Sequence, residues 1–167
     1  MKVKLTKGKV ASKVDIETLQ RRLGEQLAPE YLEFVVGNDG AIPEVNTFKI
    51  GETNNAGVRS FIPVHKIPEE MSDLDLPAKS YPVAEASFGN YIFINQAAGG
   101  AVFFWDHEEP EDVVQLAESF HSFLHMLEPL DISAVTLKPG QAKVLYADPE
   151  FVKEMQRQGL IAKDKRY

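Results

Sequence analysis

The chain contains no cysteine, which excludes disulfides, thiolate metal sites and a cysteine nucleophile. That absence fits a reducing compartment, and a cytoplasmic location is the expectation. No stretch approaches the roughly 18 apolar residues of a membrane span, so no membrane contact is expected. Residues 1–10 alternate Lys2, Lys4, Lys7 and Lys9 with apolar side chains. Without a continuous apolar region they do not read as a secretory signal. No GxGxxG, P-loop, GxSxG or HExxH occurs. Phosphate cradles and the common nucleophile elbow are therefore unsupported, and no cofactor is expected. Tryptophan occurs once, as Trp105.

What is present is enough for one domain with a sizeable core: 167 residues, of which 44% are hydrophobic. The formal net charge of -7 conceals a division along the chain. Residues 1–13 carry five lysines and no acid, and residues 153–167 carry five bases and two acids. Between them, residues 14–152 hold eight bases against 23 acids. An acidic body repels nucleic-acid phosphates and attracts a basic partner. The plainer account is that negative charge keeps a domain soluble.

Periodicity predicts a helix over Asp15–Leu23, capped by Asp15 and ended by Gly24, with Ile16, Leu19 and Leu23 on one face. A second helix should start near Pro29, carry an apolar side of Tyr31, Leu32, Val35 and Val36, and stop at Gly37-Asn38-Asp39-Gly40. Val45–Ile50 and Val58–Val64 read as strands separated by a polar loop. A short helix is expected over His65–Met71, followed by an acidic loop. Tyr81–Ala86, Tyr91–Asn95 and Ala101–Trp105 read as an antiparallel meander with tight turns. Val113, Leu116, Ala117, Phe120, Phe123, Leu124 and Leu127 predict one long helix, with Glu111 and Asp112 at its positive end. Beyond Pro129, extended runs at 134–137 and 143–146 and a helix at 149–158 are expected. Helices segregated from an antiparallel or mixed sheet make the fold α+β.

Few constellations carry chemistry. His121 and His125 share a helix face and, with Glu118 or Glu128, could hold a metal. The alternative is that they edge the buried stripe. Asp106-His107-Glu108-Glu109-Pro110-Glu111-Asp112 offers an acid/base pair with His107, a negative patch, or a solvated loop. Alternation puts Phe103 and Trp105 on one sheet face and Phe104 on the other. Phe120, Leu124 and Leu127 are expected to be buried against the face bearing Phe103 and Trp105.

Several segments, in order, resemble the SUKH (SMI/KNR-like) family. Leu27-Ala28-Pro29-Glu30-Tyr31-Leu32-Glu33-Phe34-Val35 with Asn38-Asp39-Gly40 is similar to its opening motif. Here Ala28 replaces the preferred Leu, and Asn-Asp-Gly replaces Asn-Gly-Gly. Phe61–Val64, Pro82–Ala84 with Phe88–Ile94, and Gly100–Glu108 resemble successive strands, and Leu116–Leu124 the closing helix. The resemblance divides the chain into a basic segment 1–13, a SUKH-like domain 14–128 and an appendix 129–167 packed on that domain. It implies a non-enzymatic bacterial immunity protein that neutralises a toxin, often a nuclease, or else a regulatory interaction module. A small metal-assisted hydrolase is the reading from another class. The expected partner is a basic toxin protein, not nucleic acid. The residues expected to meet it are Glu69, Glu70, Asp73 and Asp75 in one acidic cluster and Asp106, Glu108, Glu109, Glu111 and Asp112 in another. Both clusters are expected in connections, where binding residues concentrate, with Phe88 or Tyr91 as an anchor.

Overall fold

A computed structural model describes residues 3–51 and 54–130, and beyond them Lys153 and Arg157, both helical. The chain divides into two compact units, Met1–Leu130 and Asp131–Tyr167. The extended runs expected at 134–137 and 143–146, and most of the helix at 149–158, lie outside the described residues.

The first unit starts with a two-residue strand β1 (Leu5–Thr6) and helices α1 (Lys13–Leu23) and α2 (Pro29–Asn38). Helix α1 begins two residues before the expected Asp15. Ser12 is its N-cap, Asp15 sits in its first turn, and Gly24 ends it with φ 71°. Pro29 starts α2 as expected. The backbone N–H of Ala28, ahead of it, donates to the Tyr81 hydroxyl at 3.1 Å. Helix α2 runs through Gly37 before turning. It buries Tyr31, Phe34 and Val35, while Val36 is exposed and Leu32 half-buried. The expected apolar side was therefore rotated: Phe34 belongs to it and Val36 does not.

Strand β2 (Ile42–Pro43) pairs with β1. A six-stranded antiparallel sheet follows in chain order: β3 (Thr47–Ile50), β4 (Asn54–Phe61), β5 (Ser80–Ala86), β6 (Tyr91–Asn95), β7 (Ala101–Trp105) and β8 (Val114–Ala117). The helix α3 (Ile67–Asp73) lies between β4 and β5, and α4 (Phe120–Met126) closes the unit. The β5–β7 meander matches the expected strands to within a residue. Asn54–Gly57, expected in a loop, belongs to β4, because register places Phe48 opposite Ala56 and Ile50 opposite Asn54.

The largest correction concerns residues 113–127. The expected long helix is a strand followed by a short helix. Val114, Gln115 and Ala117 pair with Phe104, Phe103 and Val102 of β7. Leu116 fits both patterns: with Val113, Ala117 and Phe120 it makes a helical stripe, and with Val114 it makes a period of two. The open edge of β7 supplies backbone partners that only an extended segment can use. Ser119 then accepts the Ser122 N–H at 3.2 Å and caps α4.

One sheet face joins α2 and α4 in the main core. Phe34 lies 4.6 Å from Phe61 and 5.0 Å from Phe120, Tyr31 lies 5.2 Å from Phe120, and Phe48 lies 5.8 Å from Phe123 and 6.0 Å from Phe104, centroid to centroid. Tilted and edge-on rings of this kind add to simple burial. Phe120, Phe123 and Leu127 are buried, and Leu124 is half-buried. They pack on the face carrying Phe104, not the one carrying Phe103 and Trp105. On that other face Phe93 stacks on Phe103 at 5.3 Å, and Tyr91 meets Trp105 at 6.1 Å. Phe93 and Trp105 are buried as well. The alternation within β7 is as expected; the assignment of α4 to one of its faces was reversed.

Candidate functional site

Glu69, Glu70 and Asp73 are not in a connection. They lie on α3, which has Pro68 in its first turn and buries Ile67. Only Asp75 is in the following loop. From the first turn of α3, Glu70 reaches the sheet, where its Oε2 accepts the Tyr91 hydroxyl at 2.9 Å. Tyr91 is half-buried. Burial, then the bond to Glu70 and the negative charges of Glu70, Glu85 and Asp73, push its pKa up to about 12. At neutral pH it is a proton-bearing donor. Its hydroxyl is already engaged, which leaves it poorly suited as a free anchor.

Register places Glu85, Tyr91 and Trp105 in one row across β5, β6 and β7. Glu85 was not among the expected residues, and the strand alternation of β5 against β6 is the signal that identifies it. Its carboxylate lies 3.8 Å from Arg59 Nη1 on the surface. This pair is exposed and contributes little to stability.

The second acidic segment connects β7 to β8, not a strand to a helix. Glu111 and Asp112 therefore do not sit at a helix N-terminus. Asp106 is half-buried, and residues 107–112 are exposed. Asp106 Oδ1 accepts the Glu108 N–H at 2.9 Å, and Glu109 O accepts the Asp112 N–H at 3.0 Å. The loop is tied to the β5–β6 turn through Asn90, a buried polar residue that the sequence marked only as a turn. Asn90 Oδ1 accepts the His107 backbone N–H at 3.1 Å and lies 2.7 Å from the His107 Nδ1. An atom receiving a backbone N–H is the acceptor, so Nδ1 carries the ring proton. His107 is thus a structural donor on an exposed loop, without the dry pocket that acid/base work needs.

Asn90 and Tyr91 are neighbours, so the two acidic segments flank one short stretch of backbone. Glu70 is bound through Tyr91, and the loop after Asp106 through Asn90. Phe88 projects from the same turn, 90% exposed. The structure brings Glu70, Phe88, Tyr91 and Asp106 into one neighbourhood, and Asp73 is close enough to act on the charge of Tyr91.

The histidines at 121 and 125 do share a helix face, with ring centroids 4.3 Å apart. His125 Nδ1 lies 2.9 Å from His121 O. Glu118 and Glu128 fall outside α4, and no group of three His, Asp or Glu side chains that could hold a metal occurs among the described residues. The two rings line a cleft of about 530 Å³ with Phe34, Asn38 and Leu124; none of the residues expected at the binding surface lines it. No helix among the described residues is long and apolar enough to cross a membrane.

The model of the SMI1 / KNR4 family (SUKH-1) matches residues 10–126. Comparison with curated proteins finds no match.

Proposed function

The chain belongs to the SMI1 / KNR4 family (SUKH-1), and from that premise we propose that it is a non-enzymatic binding protein of the immunity type, which neutralises a basic toxin protein by occupying its surface. The observation that carries this reading is the convergence of the two acidic segments on the Phe88–Tyr91 turn, through Tyr91–Glu70 on one side and Asn90–His107 on the other. A nuclease toxin must carry positive charge to hold phosphates. An acidic rim on a rigid sheet can occupy that field and speed encounter. The family's implied immunity members make such a partner the leading one, and a regulatory partner protein the alternative.

The experiment is co-expression. Each gene flanking this one is expressed alone and together with it in a bacterial host. A product that is toxic alone, tolerated with this chain and co-purified with it supports immunity. Flanking products that are harmless, or stay toxic in its presence, count against immunity and leave the regulatory module as the better account.

A further inference from the structure

Phe88 is the most exposed large apolar side chain among the described residues, and its backbone has φ 64° and ψ 24°. This is the left-handed region, where a β-carbon crowds the chain and glycine or asparagine is preferred. Folding alone would thus favour another residue here, since the ring buries nothing and its backbone is strained. An outlier of this kind points towards function.

The turn is also stiff. The Ser87 hydroxyl accepts the Gly57 N–H and donates to Gly57 O, both at 3.2 Å. A β-carbon on Gly57 would stand 3.3 Å from that hydroxyl, a tight approach. Ala86 N donates to Asn90 O at 2.7 Å, and buried Asn90 is clamped in turn by His107.

We propose that Phe88 is a pre-organised aromatic anchor that inserts into an apolar pocket on a basic partner protein. This deepens the binding reading above and rests on it for the nature of the partner. Charge complementarity selects the occupant: Glu70 and Asp106 flank the turn, and the positive charge of nearby Arg59 is offset by Glu85. A backbone held in place before docking loses little freedom on binding, and the ring adds only its own two torsions. Buried aromatics of this kind dominate interface energetics, while surrounding charges set the rate of encounter.

The test needs no known partner. A phage-displayed library of random peptides is selected against the full chain, and the recovered peptides are measured by surface plasmon resonance. They should combine Lys or Arg with a cluster of apolar residues. Phe88→Ala should weaken them about tenfold or more, mainly through faster dissociation. Phe88→Gly should lose binding equally without lowering the melting temperature of the free chain, which separates lost contact from a damaged fold. Peptides without basic residues, or peptides that bind either variant as tightly as wild type, overturn the anchor. A toxin found by co-expression whose affinity ignores Phe88→Ala overturns the anchor and leaves the immunity reading standing. Peptides lost with Phe88, alongside flanking gene products that are never neutralised, uphold the anchor and count against immunity.

Discussion

The core between α2, α4 and the sheet and the rim at the β5–β6 turn are both built on the same strands, yet they satisfy opposite demands. In the core, Phe34, Phe61, Phe120 and Tyr31 replace water with one another, and each ring touches others at centroid distances from 4.6 to 6.0 Å. At the rim, charged side chains are held by few contacts: one hydroxyl for Glu70, one backbone N–H for Asp106. Burial makes the first region unforgiving of change in volume. Exposure makes the second tolerant of almost any change to its charged side chains, as far as folding is concerned. Residues at the rim are free to be selected for what they meet.

Phe120→Ala tests that contrast most severely. It empties a site bounded by Tyr31, Phe34, Phe61 and Phe123 and should destabilise the chain by about 3–5 kcal/mol in urea unfolding. A loss below about 1 kcal/mol would mean the aromatic cluster is not a packed core.

Capping of α4 comes next. Its start receives the Ser119 hydroxyl at Ser122 N and, from α2, Glu30 Oε2 at His121 N at 2.7 Å. Ser119→Ala should cost about 1 kcal/mol. The bond from the His121 N–H holds the Glu30 pKa below its ordinary 4.5, and the Ser119 hydroxyl and His121 assist. A carboxyl lowered in the folded state stabilises it above the unfolded value, and that contribution is lost as pH falls through the folded one. Glu30→Gln should therefore flatten the pH dependence of stability below about 4.5, and acid unfolding curves that superimpose with wild type would refute the cap.

Tyr91→Phe sits at the border of the two regions. Loss of the hydroxyl bond to Glu70 should cost about 0.5–1.5 kcal/mol. In ultraviolet titration the wild type should show a tyrosine ionising near 12 that the variant lacks. If no high-pH step disappears, Tyr91 is not held by Glu70.

At the rim itself, reversing Glu108, Glu109 and Glu111 to Lys should change stability by no more than about 0.5 kcal/mol. The same variant should slow association with a basic partner, and salt should slow the wild type. Unchanged rates would remove the β7–β8 loop from the binding surface.

Much of this architecture is legible in the chain. The β5–β7 meander stands out because Tyr, Phe, Ile and Val alternate between Gly-Asn and Gly-Gly turns, and both signals are local. Pro29 and Gly24 mark helix ends for equally local reasons. Val113–Leu127 misleads because its apolar spacing fits two periods, and only the unpaired edge of β7 selects between them. Asn54–Gly57 misleads because a polar strand has no hydrophobic signature. The acidic residues are visible as two clusters, but Glu69, Glu70 and Asp73 prove helical, Glu85 enters through strand register, Arg59 through its pair with Glu85, and Asn90 through its bonds to His107.

Composition and local pattern by themselves determined an α+β chain without thiol chemistry, with an acidic body and a meander of aromatic strands. Spacing and turn residues act over a few positions, so a single sequence exposes them. Tertiary structure decided which face of the sheet receives α4, that the segment before it is a strand, and that Glu70 and Asp106 stand on either side of one turn. It also decided that Phe88 is presented on a strained backbone while Tyr91, three residues on, is tied down. These outcomes depend on hydrogen bonds and packing between residues far apart in the chain, such as His121 with Glu30, which no local pattern encodes.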